Sequence, residues 1–191
     1  GEYTLSSWMP VTIQDVRWAM VGEIDLTEAF VPLEEGEDKD FFTKYKERFG
    51  YEDLYMVNPD GYLFYSVEKG EDFQTNMLNG PYKDTNLGRL LAQVKEHKTF
   101  GMADFEKYQP IKGRPAAFFG IPVVGHSGDD TKLEVILAAQ LSIEGINKVM
   151  LDRTGLGETG ETYLVGPDNM FRSRSLAWED SVMNPGKKVN T

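Results

Sequence analysis

The sequence predicts an α+β fold: antiparallel five-stranded sheets with flanking helices, arranged as one complete module and one composite module built from both chain ends. Three observations lead there. The run LYMVNPDGYLFYSV at 54–67 reads as two apolar strands around a Pro-Asp turn, and TYLVGPDNMFRSRS at 162–175 repeats it at an offset of about 108. Two further pairs are collinear with it: GRPAAFFGIPVV at 113–124 falls on GEYTLSSWMPVT at 1–12, and LEVILAAQLSIEGIN at 133–147 falls on VRWAMVGEIDLTEAF at 16–30. Strand-like runs joined by short turns imply antiparallel neighbours rather than a stack of βαβ units. With the hairpin as the opening half and the other runs as the closing half, the chain reads closing, opening, closing, opening.

The elements follow in order. Residues 1–30 supply two closing strands, with Trp8 and Trp18 expected in the core of the composite module. Residues 31–40 are an acidic linker. Its run EEGEDKD lacks the ligand spacing of an EF-hand loop. Residues 40–50 read as a helix with Phe41, Phe42, Tyr45 and Phe49 on its buried face. Residues 51–57 and 62–67 are strands around Asn58-Pro59-Asp60-Gly61, where Pro presets φ and Gly accepts φ > 0. Residues 86–99 form an amphipathic helix, with Leu87, Leu90, Leu91 and Val94 on one stripe and Asn86 as its N-cap. Residues 100–108, 116–124 and 133–141 are strands, the last two joined by a loop at 125–132. Ser142 caps a helix whose Ile143, Ile146 and Met150 face inward. The complete module therefore covers 41–155. The composite one takes 1–30 plus 156–191, which places Gly1 beside Thr191.

Composition removes several classes of function. The chain has 191 residues, no cysteine and a formal charge of −11. Disulfide scaffolds, thiolate metal sites and cysteine nucleophiles are excluded. A net negative surface repels phosphate backbones, so nucleic acid is not a partner. No apolar run approaches the roughly 18–20 residues that a membrane span needs.

Motifs for catalysis are weak. GLGETG at 155–160 matches the dinucleotide pattern, but a helix precedes it and a strand follows, the reverse of what a phosphate cradle requires. It reads as a helix stop and an inter-module joint. His97 and His126 lie far apart, on a helix end and in a loop, without metal-ligand spacing. G-x-S-x-G is absent. No catalytic residue, metal site or cofactor is expected. A polar–aromatic group is the better candidate: Asp104 and Tyr108, with Tyr62, Phe64 and Tyr65 from the return strand and Phe118 and Phe119 from the next. Aromatic walls with a few convergent polar groups suit a small molecule. Alternation along the strand forbids Phe64 and Tyr65 from facing one pocket together. Arg172 and Arg174 share a face of the repeat strand, which reads as a solvated face or an anion site.

Taken together, DLYMVNPDGYLFYSV, FQTNMLNGPYKDTNLGRLL, FGMADFEKY, GRPAAFFGIPVV, LSIEGINKVM, GLGETGETYLVGPDNMFRSRS and WMPVTIQDVRWAMVGEIDLTEAF resemble double Cache sensor domains. These are the PAS-like extracytoplasmic ligand-binding regions of bacterial chemotaxis receptors, sensor kinases and cyclases. The resemblance implies a membrane-distal-like module at 41–155 and parts of a membrane-proximal-like one at the chain ends. The pocket would lie between the sheet and the segment joining the halves. It also implies a periplasmic sensing domain of an inner-membrane receptor, most closely of the methyl-accepting chemotaxis type, and not an enzyme. The ligand would be an organic acid, an amine or an amino acid. The Arg-x-Trp-Tyr pattern of the amino-acid-binding branch is absent; VRWAM at 16–20 lies in the other module. Asp104 would meet a cationic or hydrogen-bonding ligand group, Tyr108 and Tyr65 would supply hydroxyls, and Tyr62, Phe64, Phe118 and Phe119 would form walls. Two other expectations stand beside this one: a ligand-free module that forms a homodimer through the aromatic face of helix 40–50, and an enzyme on the same fold.

Overall fold

The computed structural model describes residues 4–13, 16–127 and 130–176. The chain divides between Arg48 and Phe49 into two compact units.

The first unit holds a two-stranded antiparallel ribbon, β1 (Thr4–Ile13) and β2 (Val16–Asp25), followed by α1 (Leu26–Phe30) and by α2 (Phe41–Phe49), whose last residue falls past the division. Asp25 caps α1, its carboxylate accepting from the Thr27 and Glu28 amides. The tryptophans do not fill a core: Trp8 is 71% exposed and Trp18 61%. Among the described residues of this unit, no second layer covers the ribbon. No residue of α2 is buried, and Phe41 and Phe49 are largely exposed, contrary to the buried face its spacing predicts.

The second unit is built on a five-stranded antiparallel sheet, consistent with a PAS-like fold. Its strands are β3 (Asp53–Val57), β4 (Leu63–Ser66), β5 (Gly101–Tyr108), β6 (Arg114–Ser127) and β7 (Asp130–Gln140), in the order β4-β3-β7-β6-β5. The 67–100 segment carries α3 (Asn86–His97), and α4 (Ile143–Met150) follows the sheet. Helix α3 forms because Leu87, Leu90, Leu91 and Val94 recur on one stripe, and all four are buried. Each such side chain contributes roughly 1.5–3 kcal/mol by leaving water. The helix comes close because Gly101 and Gly120 are cross-strand partners beneath it. A Cβ on Gly101 would lie 2.8 Å from Leu90, and one on Gly120 would lie 3.3 Å from Val94. Around this seat, Tyr55, Val57, Leu63, Met77, Tyr108, Phe118 and Ile136 complete the core.

Three local expectations need correction. The cap of α3 is Thr85, whose hydroxyl accepts from the Gly88 amide; Asn86 instead sits inside the helix and donates to the Asp104 and Ala116 carbonyls. The predicted loop at 125–132 is mostly strand, because β6 and β7 pair as far as Ser127 and Asp130, and His126 is paired in it with Thr131. Ser142 does cap α4, and Ile143, Ile146 and Met150 are only half-buried. The strands expected within 162–175 reduce to the isolated bridge between Val165 and Phe171, and GLGETG is a turn folded around Arg153, whose guanidinium donates to the carbonyls of Gly157, Glu158 and Gly160.

The repeats take the same pairings. Val57 bridges Leu63 in the first hairpin, and Val165 bridges Phe171, the aligned pair, in the second. The turns agree as well: φ is +93° at Gly61 and +61° at the aligned Asn169. The closing halves follow suit, with Pro122 opposite Ile136 in β6–β7 and the aligned Pro10 opposite Ala19 in β1–β2. Gly1 and Thr191, whose proximity a composite module requires, lie outside the described residues.

Candidate functional site

The seven predicted site residues do not converge on one pocket. Tyr108 and Phe118 are wholly buried in the core, their ring centroids 4.8 Å apart and edge to face. Phe119 points to the opposite face of β6, as alternation demands, and stacks on Phe100 at 6.2 Å and against Tyr51 at 5.6 Å. Tyr65 pairs across the sheet with Met56, while Leu63 on the other face enters the core. Tyr62, Phe64 and Tyr65 are all buried.

Asp104 is engaged by the second hairpin. Arg172 donates from Nε to Oδ1 at 2.9 Å and from Nη2 to Oδ2 at 2.8 Å, and Nη2 also reaches Asp168 at 2.9 Å. This fork–fork pairing is among the stronger charge-assisted geometries. Hydrogen bonding to Arg172 holds the carboxyls of Asp104 and Asp168 below their usual range, and Asp104 in particular raises the guanidinium. Arg172 is buried, so this part of the strand is not a solvated face, whereas Arg174 is exposed.

A polar cluster that sequence reasoning missed lies under the segment joining the halves. The Tyr108 hydroxyl donates to Asp72 Oδ2 at 2.5 Å, and the Tyr55 hydroxyl donates to Gln140 Oε1 at 3.0 Å. Asp53 accepts the Ser66 hydroxyl at 2.8 Å and the amides of Leu54, Val67 and Glu68, tying the outer ends of β3 and β4 together. Residues 74–77 run beside β4, with amide bonds from Gln74 to the Leu63 carbonyl and from Met77 to the Gly61 carbonyl, which brings Asp72 over the core. Both carboxylates are buried, and no ion pair to either is formed among the described residues. Desolvation pushes Asp53 up to about 6 and raises Asp72, with the hydrogen bonds opposing it. Desolvation and the nearby acids drive the Tyr55 and Tyr108 hydroxyls upward, so both remain donors. Asp72 gives no sequence signal, because its partner Tyr108 is 36 positions away.

A cleft of about 550 Å³ opens elsewhere in the same unit, beside α4. Arg114, Lys148 and Arg174 line it together with Glu52 and Glu144. Gln140 reaches both places, since it lines the cleft and holds Tyr55.

No family model matches the chain. No curated protein matches it. Among solved structures, an extracellular ligand-binding receptor from Desulfohalobium retbaense is similar at 9% identity and a TM-score of 0.49, over 71% of this chain and 23% of that one. The chain thus spans less than a quarter of that receptor, and so distant a likeness carries no argument about ligand or mechanism. No helix among the described residues is long and apolar enough to cross a membrane.

Proposed function

We propose that this chain is a sensing region of a membrane-anchored receptor of the chemotaxis or sensor-kinase type, on the extracytoplasmic, periplasmic side. It binds a small molecule in the 49–176 unit and has no catalytic activity of its own. The observation that carries the reading is the Asp72–Tyr108 pair beside Asp53: two buried carboxylates with no ion pair to either among the described residues, beneath the segment that closes over a PAS-like sheet. A buried charge is stabilised by a partner of opposite sign. The ligand class that supplies one is an amine. Binding would draw residues 67–85 and the β4 edge toward one of two arrangements, and the signal is the ligand's difference in affinity between them.

The test is a thermal-shift screen of amines, amino acids, organic acids and sugars. An amine at a hundredfold excess over its Kd stabilises by roughly 2.7 kcal/mol. Asp72→Asn should abolish the shift while Asp104→Ala leaves it intact. A ligand that binds Asp72→Asn as tightly as the original chain removes this site. The second reading rests on the cleft beside α4, whose three basic and two acidic side chains suit an organic acid or an amino acid. In that case Arg114→Ala loses the shift. A homodimer through α2 is the ligand-free alternative, favoured if no compound shifts the melt. As a separate assignment, the ribbon and residues 156–191 are parts of a second, composite module.

A further inference from the structure

The arginines of the 49–176 unit divide by what they meet. Arg89 is paired with Glu106, Arg153 is wrapped by backbone carbonyls, and Arg172 is forked to Asp104 and reaches Asp168. Arg114 and Arg174 remain. Among the described residues neither guanidinium forms a hydrogen bond or an ion pair, and both line the cleft beside α4. Lys148 lines the same cleft and is likewise unpaired among the described residues, although Glu144 stands one helical turn before it in α4. Every arginine of the unit that lacks a partner therefore faces one cavity.

The three cations come from three elements. Arg114 opens β6, Lys148 belongs to α4, and Arg174 belongs to the second hairpin. The hairpin is already docked through its backbone and through Arg172. The Arg174 amide donates to Asn147 Oδ1 at 2.7 Å, and the Thr162 hydroxyl donates to the Met150 carbonyl at 2.7 Å. The main chain of Arg174 is thus held against α4 while its side chain stays exposed and uncommitted. Like charges gathered in one cleft repel, and an anion between them relieves that repulsion. A planar guanidinium matches a carboxylate in bidentate fashion, so two guanidiniums take two carboxylates. Pro115, Leu141 and Leu151, all half-buried, give the cleft apolar lining for a short hydrocarbon chain. Its volume of about 550 Å³ is in the range of small-molecule sites. Glu52 and Glu144 on the same lining oppose ligands of higher negative charge.

We infer that the cleft binds a short-chain dicarboxylate, one carboxylate on Arg114 and the other on Arg174, with Lys148 beside them. Bound there, the ligand clamps the second hairpin to the start of β6. Such a ligand presupposes that the cleft is an organic-acid site, narrows the acid to a diacid, and is independent of the amine site at Asp72.

The test titrates succinate, glutarate and adipate into the chain by calorimetry, with butyrate as the monoacid, at low ionic strength and without phosphate. The best diacid should bind roughly tenfold or more tightly than butyrate, since one charge-assisted pair separates them. Arg174→Gln should remove that advantage. Both arginines are exposed, so Arg114→Gln and Arg174→Gln should melt with the original chain. The diacid should also slow hydrogen exchange at the Gly166 and Arg172 amides, which close the hairpin, and butyrate should not. Equal affinity for diacid and monoacid, both lost in Arg114→Gln, overturns the diacid clamp and leaves the organic-acid reading standing. No binding of any of these acids overturns both. Sulfate binding as tightly as the best diacid, or diacid affinity unchanged in Arg174→Gln, overturns the clamp.

Discussion

The strands β6–β7 and the ribbon β1–β2 have the same pairing and opposite fates. Both align in sequence, both place a proline across from the same partner position, and both run antiparallel for most of their length. In β6–β7 the inner face is buried: Phe118 and Ala116 are wholly enclosed and Ile136 is 1% exposed. In the ribbon the residue aligned with Ala138 is Val21, at 58% exposure against 4%. Register is thus a property of the two strands and their turn. Burial belongs to whatever lies on the face, here α3 and Met77 of the joining segment. A two-stranded ribbon alone is marginal in water, so its apolar side chains imply a missing layer rather than a finished surface.

That contrast can be broken in stages. The largest effect is expected from Phe118→Ala, which opens a cavity against Tyr108 and Tyr55. Its cost should be about 3–5 kcal/mol in urea unfolding of the 49–176 unit. Trp18→Ser is its counterpart on the ribbon.

The next effect is a pH dependence. Asp53 is raised from 3.8 to about 6 by desolvation, with Asp72 shifted in the same direction. The folded state binds these protons more tightly than the unfolded chain. The associated stability is therefore present below pH 4, declines as pH rises toward 6, and is gone above it, a span worth about 3 kcal/mol for Asp53. Asp53→Asn should flatten the urea midpoint between pH 4 and pH 7. A slope unchanged in that variant would assign the dependence elsewhere.

A smaller effect belongs to Arg172. Its carboxylate partners are 46% and 48% exposed, so Arg172→Ala should cost about 1 kcal/mol, measured at low salt. Here the sign is opposite. Asp104 and Asp168 are held low, so the contribution exists above the usual carboxylate range and fades as pH falls through it. The smallest effect is Trp18→Ser, expected to stay within about 0.5 kcal/mol for an exposed side chain in the dispersed monomer. A loss comparable to that of Phe118→Ala would mean that the ribbon is already covered.

Much of the fold was legible in the sequence because it is local. The Asn-Pro-Asp-Gly turn and the 3.6-residue stripe of α3 carry their own instructions, and the repeats aligned in sequence take equivalent pairings in the structure. The cap of α3 was misplaced by one residue because Thr85 and Asn86 are both good caps, and only the pull of the Asp104 and Ala116 carbonyls draws Asn86 inward. The candidate site was far less legible. Asp104 looked like a ligand group because its partner, Arg172, lies 68 positions away. Asp72 gave no signal because nothing adjacent in sequence announces the Tyr108 hydroxyl.

By itself, the sequence determined the strand runs of the sheet, the Asn58–Gly61 turn, the stripe of α3 and the absence of thiol chemistry, since these depend on composition and on neighbours a few residues apart. Only the tertiary structure decided which acid is paired and which is left buried without an ion pair among the described residues. It also decided which tryptophan-bearing strands stay uncovered. Burial and charge pairing are set by groups that meet through the sheet and the joining segment, at separations no local pattern encodes.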